Sequence, residues 1–200
     1  NPIIYKIIYN SKIILWDLDI WPETLEAIGV IKSNKVLGVL KIFIKHIYSF
    51  YDKLLLSSNA LIKILEDRYS GEITFFPNWA EKVIEDNQSV KSLPFLKNER
   101  RFKIMYTGNI GYAQNFESLI PTIIKLKDED IVWIFIGDGR IKEKFEKLIN
   151  QKAHQESTLF ISQKQISEIP SYIKHADVMY LSLRNEFIFN NTIPAKLQSY

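Results

Sequence analysis

Apolar residues fall along this 200-residue chain in short, unbroken blocks separated by segments of helical periodicity. Blocks at 12–16, 54–57, 73–76, 102–107, 131–136, 158–161 and 177–181 predict strands, and most run apolar throughout instead of alternating. Strands that are apolar throughout are covered on both faces, as in a parallel sheet. Between them, apolar residues three and four apart predict helices over 36–51, 59–69, 115–127, 141–152 and 167–175. Pro121 falls inside the third of these, where it must delay the helix or kink it. Strand and helix alternate, so the expected fold is α/β, with doubly wound parallel sheets.

The rhythm breaks at 81–101, which is charged and carries Asn87-Gln-Ser and Pro94. This stretch is read as a linker joining an α/β domain over 1–80 to a second over 102–200, the two facing across a cleft. Both domains are expected to be incomplete. The chain opens within an Ile/Tyr-rich run and stops at Lys196-Leu-Gln-Ser-Tyr200, inside a helix begun by Pro194. We therefore expect an internal piece of a longer protein.

Composition narrows the function classes only a little. A hydrophobic content of 46% supports a real core. A net charge of +3 suits an anionic ligand or a membrane surface without demanding nucleic acid, and no RNA-binding signature is present. Cysteine is absent, which removes disulfides and thiolate metal sites. His46, His154 and His175 lack metal-ligand spacing, so no metal or other cofactor is expected. No apolar run reaches transmembrane length and no signal peptide is visible, so a cytoplasmic location is expected, soluble or peripheral on the membrane.

Four segments carry candidate chemistry, each at the carboxyl end of a strand, where doubly wound sheets place ligands. The first is Phe102-Lys-Ile-Met-Tyr-Thr-Gly-Asn-Ile-Gly111, a strand running into a glycine turn that can present backbone N–H groups to an anion. The second is Gly137-Asp138-Gly139, equally readable as a tight turn. In the third, Ile193-Pro194-Ala195-Lys196-Leu197, a cation in the first helical turn opposes the helix dipole, a conflict that an anionic ligand would remove. In the fourth, Leu15-Trp-Asp-Leu-Asp-Ile-Trp-Pro-Glu23, Asp17 and Asp19 can hydrogen-bond hydroxyls or accept protons. Its competing reading is a helix start, with Glu23 in the first turn and tryptophan in the core.

Five motifs occur in order: Trp16-Asp-Leu-Asp-Ile-Trp-Pro-Glu-Thr24, Phe76-Pro-Asn-Trp79, Tyr106-Thr-Gly-Asn-Ile-Gly-Tyr-Ala-Gln-Asn115, Phe135-Ile-Gly-Asp-Gly139 and Pro194-Ala-Lys-Leu-Gln-Ser-Tyr200. Together they resemble bacterial family-4 glycosyltransferases, in particular the subgroup that adds amino sugars during O-antigen, capsule or exopolysaccharide assembly. The resemblance implies the GT-B fold of two facing Rossmann-like domains, an N-terminal acceptor domain and a C-terminal donor domain. It also implies a retaining transfer, without metal, from a nucleotide sugar such as a UDP-sugar to a glycan or polyprenyl-linked acceptor. On that resemblance, Gly108, Asn109, Gly111, Gln114, Gly137, Asp138, Gly139, Asn191, Pro194, Lys196 and Ser199 form the donor site. Asp17, Asp19, Trp21 and Glu23 lie on the acceptor side, and Asp19 and Lys196 are the catalytic pair. The pattern is not followed throughout. Two positions where many members carry glutamates hold Asn191 and Ser199, and the first glycine loop has no arginine.

Rival readings remain at this stage. One is a UDP-sugar 2-epimerase of the same fold, against which the few histidines argue; another is a non-catalytic nucleotide-sugar-binding protein. The segment 35–53, with Lys41, Lys45 and His46 among its apolar residues, reads as a core helix or as an interfacial helix meeting a membrane.

Overall fold

A computed structural model describes residues 2–82, 91–152 and 155–200. His154 and the Asn87-Gln-Ser segment therefore lie outside the described residues. In chain order the first elements are α1 (Pro2–Tyr9), β1 (Ile14–Asp17), α2 (Glu23–Ala27), α3 (Asn34–Tyr48), β2 (Lys53–Leu56), α4 (Asn59–Leu65) and β3 (Glu72–Phe75). Then come α5 (Pro94–Lys97), β4 (Phe102–Thr107), α6 (Ile120–Lys125), β5 (Ile131–Ile136), α7 (Lys142–Lys152) and β6 (Thr158–Ile161). The last are α8 (Ile169–Ile173), β7 (Val178–Met179), α9 (Phe187–Asn190) and α10 (Ala195–Ser199).

The chain forms two compact units, residues 1–78 with 185–194, and residues 79–184 with 195–200. In the first, β1, β2 and β3 make a parallel sheet with β2 in the centre. Leu54 and Leu56 of β2 are fully buried, as are Leu61 and Leu65 of α4. Four such side chains contribute roughly 1.5–3 kcal/mol each. Asp52 ties the start of the sheet together, accepting from Ile13 N–H at 2.8 Å and from Lys6 Nζ at 2.9 Å. α9 packs against α2 with Ile188 and Phe189 buried.

The second unit has the strand order β6-β5-β4-β7, all parallel. The order reverses at β4, which creates a topological switch point beside its carboxyl end. β5 shows why its sequence is apolar throughout. Trp133 and Phe135 pack into a cluster with Tyr106, Phe116 and Phe145, while Val132, Ile134 and Ile136 pack on the other face with Met105, Leu96 and Tyr172. Phe116 meets Tyr106 edge-on with ring centroids 4.8 Å apart, a favoured aromatic arrangement.

All seven expected strands form, three of them with the expected bounds. Some helices differ for local reasons. Pro121 delays the third helix, which begins at Ile120 after two short 3-10 turns, Tyr112–Gln114 and Phe116–Ser118. Within 81–101, read as a linker, Pro94–Lys97 is helical and buries Leu96. The opening Ile/Tyr run is the helix α1, whose residues Ile4, Tyr5, Ile7, Ile8 and Tyr9 are exposed. α3 likewise buries Leu37 and Tyr48 but exposes Val39 at 68% and Ile42 at 74%, so it is not a fully buried core helix. Among the described residues, no helix is long and apolar enough to cross a membrane.

Candidate functional site

The second unit holds a cavity of about 610 Å³ at the carboxyl ends of β4, β5 and β6. That volume lies within the range of ordinary ligand pockets. One side is built from the turns after β4 and β5, where Thr107, Gly108, Asn109, Gly137, Asp138 and Gly139 line the space. Lys196, Ser199 and Tyr200 close it from α10 and beyond, and the loop after β6 with α8 supplies Gln163, Lys164 and three isoleucines.

Glycine is needed at Gly137 by a backbone contact and at Gly108 by its left-handed backbone. At Gly137, with φ of +149°, a Cβ would lie 1.9 Å from the Gly108 carbonyl oxygen. At Gly108, with φ of +120°, it would lie 2.5 Å from Lys196 Cε. The sequence suggested that these glycines leave room for an anion; the space a Cβ would take is instead filled by the neighbouring turn and by the lysine stem. Their amides are also occupied. Gly108 N–H donates to Ile136 O, Gly137 N–H to Ile161 O, and Gly139 N–H to the Asp138 carboxylate. The amides of Asn109 and Asp138, which follow the glycines, carry no hydrogen-bond partner among the described residues.

Lys196 supplies the positive charge. Its Nζ sits 5.4 Å from the centroid of the Tyr106 ring, a cation–π distance, and no carboxylate pairs with it among the described residues. Burial lowers its pKa. The Tyr200 hydroxyl fixes the neighbouring wall, donating to Thr107 O at 2.9 Å and accepting from Thr107 N–H at 3.0 Å. Tyr106 Oη donates to Asn109 O at 2.5 Å, which holds the first glycine turn from below.

The remaining expected donor residues are placed differently. Gln114 accepts from Gly111 N–H at 3.1 Å, so both shape the turn and neither lines the cavity. Asn191 and Pro194 belong to the first unit, where Asn191 Nδ2 donates to Phe187 O at 2.6 Å. Thr107, Gln163, Lys164 and Tyr200 were not singled out from the sequence. The signal was available for two of them: β6 was expected, and the loop after each strand of such a sheet is a candidate wall.

The acidic segment of the first unit divides in two. Asp17, at the end of β1, accepts from Tyr48 Oη at 2.5 Å; its burial, reinforced by Asp19, raises its pKa although the Tyr48 bond opposes this. Burial alone would raise Glu23, but a two-pronged bond from Arg68, at 2.8 and 2.5 Å, outweighs it and the pKa is lowered. Lys41 adds a contact to Glu23 at 3.3 Å. Asp19 and Trp21 are exposed.

A parallel α/β unit with a glycine-lined cavity at its strand ends, and a lysine inside it that pairs with no carboxylate among the described residues, has the chemistry to receive an anion. The sequence matches the family Glycosyl transferases group 1 over residues 88–188, and the chain belongs to that family. It is 26% identical over 148 residues to WcaI of Escherichia coli K12, described as a colanic acid biosynthesis glycosyl transferase. That match covers 71% of this chain and 36% of WcaI. It is 27% identical over 137 residues to WbjE of Pseudomonas aeruginosa, described as a glycosyltransferase, covering 64% of this chain and 34% of WbjE. The chain thus spans about a third of the length of the curated relatives it matches. Among solved structures, Anabaena HepE in complex with UDP-glucose superposes with a TM-score of 0.65 at 11% identity, over 91% of this chain and 50% of HepE. WaaG, a glycosyltransferase of lipopolysaccharide biosynthesis, gives 0.63 at 12% identity, over 85% of this chain and 50% of WaaG. At these identities the likeness shows a shared fold.

Proposed function

We propose that this chain is the nucleotide-sugar-handling part of a glycosyltransferase that moves a sugar, N-acetylated in our reading, from a UDP-sugar to a glycan or polyprenyl-linked acceptor in surface polysaccharide assembly. The observation that carries the reading is Lys196, a half-buried ammonium lining the cavity and ion-paired with no carboxylate among the described residues. A desolvated cation of this kind gains most from an anionic ligand. The relatives named for colanic acid biosynthesis and lipopolysaccharide biosynthesis, and the UDP-glucose complex of a neighbour, suggest which anion and which pathway class.

In this proposal the diphosphate lies against Lys196 and the amides of Asn109 and Asp138. Preorganised donors of this kind stabilise the charge that grows on the departing nucleoside diphosphate, commonly the largest electrostatic contribution to such a reaction. They act without a metal in this reading. The acceptor hydroxyl attacks the anomeric carbon on the face the diphosphate leaves, so configuration is retained, and a phosphate oxygen takes the hydroxyl proton. Asp19, exposed on the acceptor-side segment, is the candidate residue for orienting the acceptor. The exposed apolar face of α3, flanked by Lys35 and Lys45, suits peripheral contact with a cytoplasmic membrane surface that presents a lipid-linked acceptor.

A second reading is favoured by Asn191 and Ser199, whose side chains bond the backbone of their own helices. Without carboxylates at those places, a nucleotide-sugar binder without transfer activity also fits. The test is release or transfer of sugar from UDP-N-acetylhexosamines with chelator present. Turnover supports transfer. Binding without turnover selects the second reading, and the absence of both binding and turnover defeats the two together.

A further inference from the structure

Lys196 stands on α10, a helix of five residues with none buried. Burial alone therefore does not pin this helix. Tyr200, which follows it, supplies an anchor at the edge of β4. Alternate residues of β4 turn their backbone groups toward β7: Lys103 O accepts from Asp177 N–H at 2.9 Å, and Met105 O from Tyr180 N–H at 2.7 Å. Thr107 is the next residue in that orientation, but β7 ends at Met179. The Tyr200 hydroxyl takes the place of the strand there, accepting from Thr107 N–H and donating to Thr107 O. A phenol does both at once because its oxygen is donor and acceptor.

The anchor reaches the lysine through one helical turn. Tyr200 N–H donates to Lys196 O at 2.9 Å, and side chains four apart on a helix share a face. Holding the phenol on Thr107 thus delivers Lys196 to Gly108, the residue after Thr107. There the lysine Cε lies 2.5 Å from where a Gly108 Cβ would stand, and its Nζ lies 5.4 Å from the centroid of the Tyr106 ring. We propose that Tyr200 is the positioning residue for Lys196, its two bonds to Thr107 keeping the ammonium over Gly108, where an anionic ligand meets it. The ligand half of this proposal rests on the reading of Lys196 as the diphosphate contact. In Tyr200→Phe the ring stays but both bonds go, so α10 loses its anchor and the lysine leaves its slot.

The experiment pairs two measurements on the parent chain, Tyr200→Phe, Lys196→Ala and the double variant. One is calorimetric titration with UDP and with uridine; the other, needing no ligand, is a pH titration of Lys196 followed by NMR of 13C-labelled lysine. Tyr200→Phe should weaken UDP by about fivefold or more and leave uridine unchanged. Added to Lys196→Ala it should cost UDP nothing further, as for two residues that act as one. The Lys196 pKa, lowered by burial in the parent, should rise toward the ordinary lysine value in Tyr200→Phe as the ammonium gains water. Independent losses of UDP affinity from the two substitutions overturn the proposal, because Tyr200 would then touch the ligand itself. An unmoved Lys196 pKa in Tyr200→Phe, or an equal loss of UDP and uridine, also overturns it. If the parent binds no UDP while the pKa moves as stated, the diphosphate reading fails and the hold of Tyr200 on the lysine stands.

Discussion

In the first unit, the charged side chains near the end of β1 have found one another: Asp17 holds Tyr48, and Glu23 holds Arg68 and Lys41. In the second, Lys196 lines a cavity and is ion-paired with no carboxylate among the described residues. Both regions sit at the carboxyl ends of parallel strands, where ligands are expected on grounds of topology alone. The difference shows that topology nominates a place and hydrogen-bond accounting decides what it does. Internally satisfied groups stabilise a fold, whereas unsatisfied ones with space beside them await a ligand.

The sharpest way to break this contrast is Gly137→Ala. With the Gly108 carbonyl 1.9 Å from the new Cβ and φ at +149°, the two turns must separate. We expect a loss of about 2–4 kcal/mol in unfolding free energy by denaturant titration, with UDP binding abolished. Next is Arg68→Ala, which leaves the Glu23 carboxylate, only 12% exposed at its side chain, with Lys41 as its remaining cation. It should cost about 1–3 kcal/mol of stability, since the desolvation of Glu23 is then only partly compensated. UDP affinity should hardly change, and a parallel loss would contradict the separation of structural and ligand-binding polar groups.

The smallest expected effect is a pH dependence. The folded pKa of Asp17 is raised, by burial first. Its contribution to stability is therefore full below the unfolded carboxylate value and is lost as pH rises through the folded one. Glu23, whose folded pKa is lowered despite burial, works the other way, contributing above the unfolded value and losing that contribution as pH falls. Asp17→Asn removes the contribution that is lost with rising pH, so stability should rise more from acid toward neutral pH than in the parent chain, as read from unfolding midpoints at several pH values.

Much of the fold was legible because the strands of the second unit are apolar on both faces, and β4, β5 and β6 follow their sequence blocks to the residue. Helix ends were less legible. Pro121 forces a late start that periodicity cannot time, and α1 was hidden because its apolar residues form a run without a polar face to mark the period. At the site, Gly108, Gly137 and Lys196 could be picked out, since positive φ and a lone cation leave marks in sequence. The work done by the glycines could not, because it depends on which loop lies against which. Asp17 and Glu23 looked like their exposed neighbour Asp19; their partners Tyr48 and Arg68 lie 31 and 45 residues away, and no local pattern announces such pairs.

The central claim is that the cavity beside Lys196 binds a nucleoside diphosphate through its phosphates. Titration of the chain and of Lys196→Ala with UDP and with uridine tests it most directly. The account predicts saturable UDP binding that Lys196→Ala weakens by about tenfold or more, with uridine binding weak and nearly unaffected. An equal loss for both ligands, or no UDP binding at millimolar concentration, would contradict it.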